Sequence, residues 1–263
     1  MKKIRKIYRY YRARLQPRSA LPFFWHTGHP NFGDDINPSF FRAALDQAVR
    51  LEIHRDRPHF LGMGSILQKA TSVSTVVGSG FLVPPAPCSL TPERVISVRG
   101  KLSLAGLTRG DNVLLGDPMV LLNLVAPIKA DRNGPVGLVP HVSEVNKAKR
   151  MMIPGVKIID PQHSPWRVIH EIAGCSRIFS QSLHGLIVAD ALDIPNIWIE
   201  PSDQMMGADF KFNDYFSTLD SEKKPFQFKL ETFAGSSSSA FSVGRYKYDK
   251  KLYLDTLREG VSP

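Results

Sequence analysis

Apolar positions along the chain fall into short β-favouring runs that alternate with stretches at helical spacing. The clearest case begins at Arg177. Ile178 and Phe179 are apolar and strand-favouring, Ser180 to Ser182 are small polar turn and N-cap residues, and Leu183, Leu186, Ile187 and Ala191 then recur at the period of a helix. Asp193-Ile-Pro195 ends that helix, and Asn196 to Ile199 open another strand. The pattern predicts strand, tight turn, helix, strand, with His184 in the first helical turn at the carboxyl end of a strand. Open α/β sheets bind ligands there. A helix N-terminus at that point favours phosphate or carboxylate. The same pattern also suits a core histidine in a βαβ unit.

The alternation extends along the chain. Strands are predicted at Pro22–Thr27, Phe60–Leu67, Thr75–Phe81, Arg94–Gly100 and Asn112–Leu122, the last four each carrying a glycine turn. Gly28 to Asp35 is a Gly/Pro/Asn turn. The helix after it buries Phe40, Phe41, Ala44, Leu45 and Ala48, and a short helix covers Lys101–Leu107. Residues 127–135 read as a linker. Strands follow at Val136–His141 and Val156–Asp160, with helices at Ser143–Met152 and Trp166–Ala173. After Pro201 the pattern loosens, Gly235–Ser239 reads as a flexible loop, and Lys247–Glu259 regains helical spacing. Strands alternating with helices argue for an α/β fold of two Rossmann-like parallel sheets with a cleft between them. The expected divisions are a basic arm over 1–18, an N-terminal domain over 19–130, a C-terminal domain over 131–220, and a linker with a final helix over 221–263.

Charge singles out the arm. The net charge is +10, and residues 1–18 carry eight Lys and Arg with no acid, so the remainder is nearly neutral. Tyr8, Tyr10, Tyr11, Ile4, Ile7 and Leu15 are interleaved with those charges. A basic, aromatic-containing terminal segment suits an anionic membrane surface, and a solvated arm is the plainer alternative. No nucleic-acid motif follows it. Two cysteines, Cys88 and Cys175, make no disulfide framework, and no apolar run has the length of a membrane span. With no apolar signal core visible behind the basic residues, the expectation is a cytoplasmic protein, peripheral on the inner membrane face.

The common catalytic motifs are absent: no Walker loop, no nucleophile elbow, no Cys/His zinc spacing, and hence no metal expected. Gly62-Met-Gly64 and Gly78-Ser-Gly80 begin like dinucleotide fingerprints, but Leu67 and Val83 stand where the third glycine belongs. What remains is a series of strand ends bearing small or polar residues: Asn31, Gly33 and Asp34; Gly64 and Ser65; Gly78 and Ser79; Asp117; His141; Ser182 and His184. In parallel sheets these turns gather on one edge and suit a phosphorylated, oxygen-rich ligand. Each alone could equally be a loop closure.

The ordered series Asn31-Phe-Gly33-Asp34-Asp35, Gly62-Met-Gly64-Ser65, Val98-Arg99-Gly-Lys-Leu-Ser103, Gly116-Asp117-Pro118, Val139-Pro-His141 and Ser182-Leu183-His184-Gly185 resembles the polysaccharide pyruvyl transferase family. The match runs from about residue 22 to residue 218, and Asp209 to Phe216 resembles a tail motif of its exopolysaccharide branch. The resemblance implies two Rossmann-like domains arranged as in GT-B glycosyltransferases. It implies transfer from phosphoenolpyruvate, a co-substrate with no further cofactor, onto two hydroxyls of a free or lipid-linked saccharide, giving a pyruvate ketal. It makes His184 the central acid/base or phosphate contact, Arg99 the partner of phosphate or carboxylate, His141 a reserve acid/base, and the remaining motif residues donor or sugar contacts. Many members carry arginine two positions before the motif histidine. Here Ser182 stands there, so the anion-binding cation is missing or comes from elsewhere, with Arg99, Arg177 and Lys101 as candidates. Competing readings are a glycosyltransferase using a nucleotide sugar, with Glu200 or Asp203 on the ribose, and a non-catalytic carbohydrate-binding relative.

Overall fold

The computed structural model describes residues 15–108, 112–201, 205–207, 209–227 and 240–261. Most of the basic arm, Asp203 and Gly235–Ser239 lie outside the described residues.

Two wholly parallel sheets organise the chain. The first contains β1 (Leu21–Phe24), β2 (Val49–Leu51), β3 (His59–Leu61), β4 (Ser74–Val77), β5 (Arg94–Val98) and β6 (Leu114–Leu115), in the order β2-β1-β3-β4-β5-β6. The second contains β7 (Val136–Val139), β8 (Val156–Ile158), β9 (Arg177–Ser180) and β10 (Asn196–Trp198), in the order β10-β9-β7-β8. Parallel strands need crossovers and become buried on both faces. The fully buried Phe23 on β1 shows the consequence, with its ring 4.6 Å from that of Phe41 on the covering helix. This is the two-sheet α/β architecture read from the sequence.

Among the described residues the helices, in chain order, are α1 (Phe32–Asp35), α2 (Asn37–Leu45), α3 (Lys101–Leu104), α4 (Leu122–Val125), α5 (Val145–Met151), α6 (Pro165–Ala173), α7 (Leu183–Ala191), α8 (Phe210–Phe216) and α9 (Lys250–Val261). Several are shorter than the pattern suggests: the helix predicted over 101–107 stops at Leu104. The strand predicted to reach Thr27 ends at Phe24, and the strand and turn predicted over 112–122 are a two-residue strand, Leu114–Leu115, and a 3-10 turn at Pro118–Leu121.

The helix predicted after Ser182 is present as α7, and all nine of its residues are buried. A helix buried on every face is a core helix, here with His184 and Asp190 as its buried polar residues. It packs on β9, β10 and α6 of its own half and on the Pro118–Leu121 turn of the other. Leu186, Ile187 and Val188 are fully buried, each contributing about 1.5–3 kcal/mol. At its far end Asp190 accepts from Tyr215 Oη at 3.0 Å and pairs with Lys223 at 2.9 Å, tying the later chain to this helix.

Later elements also join the halves. On α8, Phe212 stacks on Trp198 of β10 at 5.1 Å, while Asp214 binds residues of β5 and α3 territory in the first half. Helix α9 returns to the first sheet, where Tyr253 Oη donates to Gly116 O at 2.6 Å and Arg258 Nε to Ala44 O at 2.9 Å. Among the described residues no helix is long and apolar enough to cross a membrane.

Candidate active site

A cavity of about 280 Å³ opens between the two sheets, lined by residues that follow the carboxyl ends of β1, β3, β7 and β9. Asn31, Asp34, Ser65, His141, Ser182, Leu183 and His184 all line it. The same wall holds His26, Gln68, Lys69 and Lys211, which the sequence analysis did not single out.

His184 stands at the base of this cavity. Ser182 caps α7, its Oγ accepting from Gly185 N at 3.4 Å, which fixes the first turn and aims the imidazole between the halves. The ring is nearly buried, edge-on to Phe32 at 6.2 Å. It lies so close over Gly33 that a Cβ there would overlap Nδ1. Nε2 points at Asp117 Oδ2, 3.5 Å away. Asp117 is itself buried at the cap of the Pro118–Leu121 turn, its Oδ1 accepting from Met119 N at 3.0 Å. Neither His184 Nε2 nor Asp117 Oδ2 has a hydrogen-bond partner among the described residues. Two buried, unpartnered polar atoms facing each other across a domain junction call for an explanation. A ring movement of a few tenths of an ångström would bring them within ordinary hydrogen-bond distance.

Asp34 forms the acidic side. Asn31 caps α1, its Oδ1 accepting from Gly33 N at 3.3 Å and its Nδ2 donating to Asp34 Oδ2 at 3.1 Å. Gly64, at φ +126°, adopts backbone that side chains rarely take, and a Cβ there would stand 2.9 Å from Asp34 Oδ1. Burial pushes the Asp34 carboxyl up to about 6, against the opposing pull of His184. The folded state therefore holds that proton more tightly than the unfolded chain. Above about pH 6 the ionised carboxylate opposes folding; the cost fades as pH falls from there towards the ordinary value. Asp34→Asn should raise the melting temperature at pH 7.5, with the gain vanishing near pH 4. A Tm equal to wild type at both values would show that Asp34 bears no burial cost.

Lysines supply the positive charge. Lys211, on α8, is held down to about 8 by burial and by the Arg99 guanidinium, with Asp34 pulling the other way. Lys69 joins it on the wall. Both cations line the same cavity as Ser182. Neither of the other proposed sources lines the cavity: Arg177 stacks on Phe241 at 5.3 Å, and Lys101 is exposed.

The reading of Arg99 as a direct donor ligand changes. The side chain is 1% exposed, and its guanidinium is spent inside the protein. Nε donates to Asp214 Oδ2 at 2.9 Å, Nη1 to Ser65 Oγ at 2.8 Å and Nη2 to Phe81 O at 2.6 Å. It locks β5 to α8 behind the cavity and so positions Ser65 and Lys211. Several other predicted contacts are likewise supports. Asp35 Oδ2 accepts from Asn31 N at 3.3 Å and closes the α1 turn. Gly78 makes room for the Pro118 ring, Ser79 Oγ donates to Gly62 O, and Gly185 lets α7 approach Ser180.

His141 sits at the rim. Its Nδ1 shares a 2.8 Å hydrogen bond with Ser143 Oγ, and its backbone N–H donates to Gln181 Oε1 at 3.3 Å. Burial first, then Lys211, push its pKa below the ordinary histidine value, so the neutral imidazole prevails at pH 7. Among the described residues no cluster of His, Cys, Asp and Glu could hold a metal ion.

Paired parallel sheets with a lysine- and histidine-lined cavity at their carboxyl edges define an α/β protein of two Rossmann-like halves. Residues 90–203, from before β5 to beyond β10, match the family model described as Polysaccharide pyruvyl transferase. Over that stretch the chain is similar to the family, and beyond it to a protein of exopolysaccharide biosynthesis. It is 29% identical over 223 residues to the Succinoglycan biosynthesis protein ExoV of Rhizobium meliloti (strain 1021), covering 81% of this chain and 69% of that protein. It is also 29% identical over 213 residues to Uncharacterized protein L143 of Acanthamoeba polyphaga mimivirus, covering 75% and 74% respectively. No solved structure matches. The matched stretch holds Arg99, Asp117, His141 and His184, whereas Asn31, Asp34, Lys69 and Lys211 lie outside it.

Proposed function

We propose that the protein transfers the enolpyruvyl unit of phosphoenolpyruvate to a sugar of a surface or exopolysaccharide precursor, forming a pyruvate ketal. The observation that carries this reading is the His184–Asp117 pair facing across the two halves, beside Lys211 and under the N-terminus of α7. The donor carries about three negative charges near neutral pH, so it needs cations and N–H donors around it. Lys211, Lys69 and the α7 N-terminus are suited to that task.

The chemistry balances without a redox partner. One sugar hydroxyl adds its oxygen to the donor's second carbon while a proton reaches the methylene carbon, which becomes methyl. The second hydroxyl then displaces phosphate, and its proton leaves with the phosphate as hydrogen phosphate. Asp34, whose carboxyl is raised towards neutrality, would take up a proton as the anionic donor arrives and can deliver it to carbon. His184, oriented by Asp117, and neutral His141 would remove the hydroxyl protons.

The test is incubation with phosphoenolpyruvate and free or lipid-linked oligosaccharides, following phosphate release and the mass of a pyruvate ketal. Phosphate release without sugar modification, or neither, rejects the reading. Lys211 adds a pH signature. It is charged below about pH 8 and neutral above, so donor affinity should fall as pH rises through that value. Lys211→Met should raise the donor KM by about 10- to 100-fold, the worth of one charged hydrogen bond, and remove the pH dependence. An unchanged KM would take Lys211 out of donor binding.

A further inference from the structure

A second cavity, of about 430 Å³, lies beside the first on the carboxyl edge of the second sheet. Pro140 belongs to the walls of both. On the near side, His141 and Ser182 face the first cavity; their chain neighbours Pro140 and Gln181 face the second. The Gln181 side chain bridges the two, accepting from His141 N at 3.3 Å and donating from Nε2 to Glu200 O at 3.5 Å. The volume is at the lower end of the range for small-ligand pockets, about 300–1,000 Å³.

Its lining differs from that of its neighbour. The floor is apolar, with Leu138 and Ile199, and the walls bring Glu144 and Glu200 against a single lysine, Lys147. Lys147 is already paired with Glu144 at 3.6 Å. The first cavity has Lys69 and Lys211 against Asp34. Adjacent cavities thus carry opposite charge bias. A phosphate-bearing ligand favours the first and is repelled from the second. Carboxylates and an amide above an apolar floor suit an uncharged sugar: hydroxyls donate to Glu144, Glu200 and Gln181, while ring C–H groups pack on Leu138 and Ile199.

We propose that this second cavity is the binding site for an uncharged saccharide, the acceptor, whose reacting hydroxyls reach the first cavity over the Pro140–His141 rim. The assignment of the sugar as acceptor rests on the pyruvyl transfer proposed above; the binding of a saccharide does not. Glu200 is exposed and Glu144 half-buried, so both can be changed without opening the core.

The experiment is direct binding of purified neutral oligosaccharides of glucose, galactose and mannose to the full chain, by saturation-transfer NMR, beside thermal shift with phosphoenolpyruvate, UDP and CMP. Wild type should bind at least one saccharide. The double variant Glu144→Gln, Glu200→Gln and the separate variant Met151→Trp, which narrows the cavity, should each weaken that binding at least tenfold. The phosphoenolpyruvate shift should remain at the wild-type value. No saccharide binding by wild type, or binding unchanged in both variants, overturns the assignment. So does a UDP or CMP shift that disappears in the double variant, since that marks a nucleotide site. Saccharide binding that behaves as expected, without any ketal formation, overturns pyruvyl transfer and leaves the saccharide site standing.

Discussion

His184→Asn should keep the fold and lower ketal formation by about 10²–10⁴-fold, the usual range when a general acid/base is removed. Asparagine is smaller than the imidazole, introduces no new clash over Gly33 and keeps a polar group opposite Asp117. The second half of the prediction concerns Asp117. Asp117→Asn retains an oxygen to accept from Met119 N, so the turn stays capped. It places an amide where a carboxylate faces Nε2, which reverses the hydrogen-bond sense and orients the ring wrongly. Residues acting as one unit are non-additive. The double variant should therefore be no slower than His184→Asn alone. Circular dichroism controls for folding. Full activity in His184→Asn would sink the mechanism; activity lost only in His141→Asn would move the chemistry to the end of β7.

Arg99→Met should act on stability. It removes the three hydrogen bonds that Arg99 donates and leaves the wholly buried Asp214 with only Ser103 N at 2.8 Å and Ser103 Oγ at 2.5 Å. Breaking a buried pair from one side costs about 3–5 kcal/mol, because the remaining charge stays buried. In a chain of this size that lowers the melting temperature by on the order of 10 °C. Arg99→Lys should lie between, since one ammonium cannot reach three acceptors spread around a planar fork. At temperatures where the variants remain folded, a change in donor KM should follow only from the loosened Ser65 and Lys211, and should accompany the lowered Tm. A wild-type Tm combined with a raised donor KM would restore Arg99 as a donor ligand.

These two residues show where local sequence stops being informative. His184 was readable because helix period, cap and helix stop all occur within one short stretch, and each is a local property. Arg99 also follows a strand and precedes a glycine, the same local context as a ligand-binding residue. Its direction is set by Asp214, far along the chain, and by space at Gly80 where any side chain would meet the guanidinium.

The alternation of strands and helices, the parallel sheets, the turn residues Asn31, Asp34, Ser65, His141 and Ser182, and the placement of His184 follow from periodicity and capping, which neighbouring residues settle among themselves. Tertiary structure alone decided the rest. The three-residue β2 is too short to display a period and exists because it pairs with β1, Leu21 opposite Val49. Helix α8, Phe-Lys-Phe-Asn-Asp-Tyr-Phe, has no clean apolar stripe because it packs against both halves at once, and its Lys211 became a cavity cation only through that docking. The pairing of His184 with Asp117 joins the two halves, and it depends on α7 packing against the Pro118–Leu121 turn, a contact that no local pattern encodes.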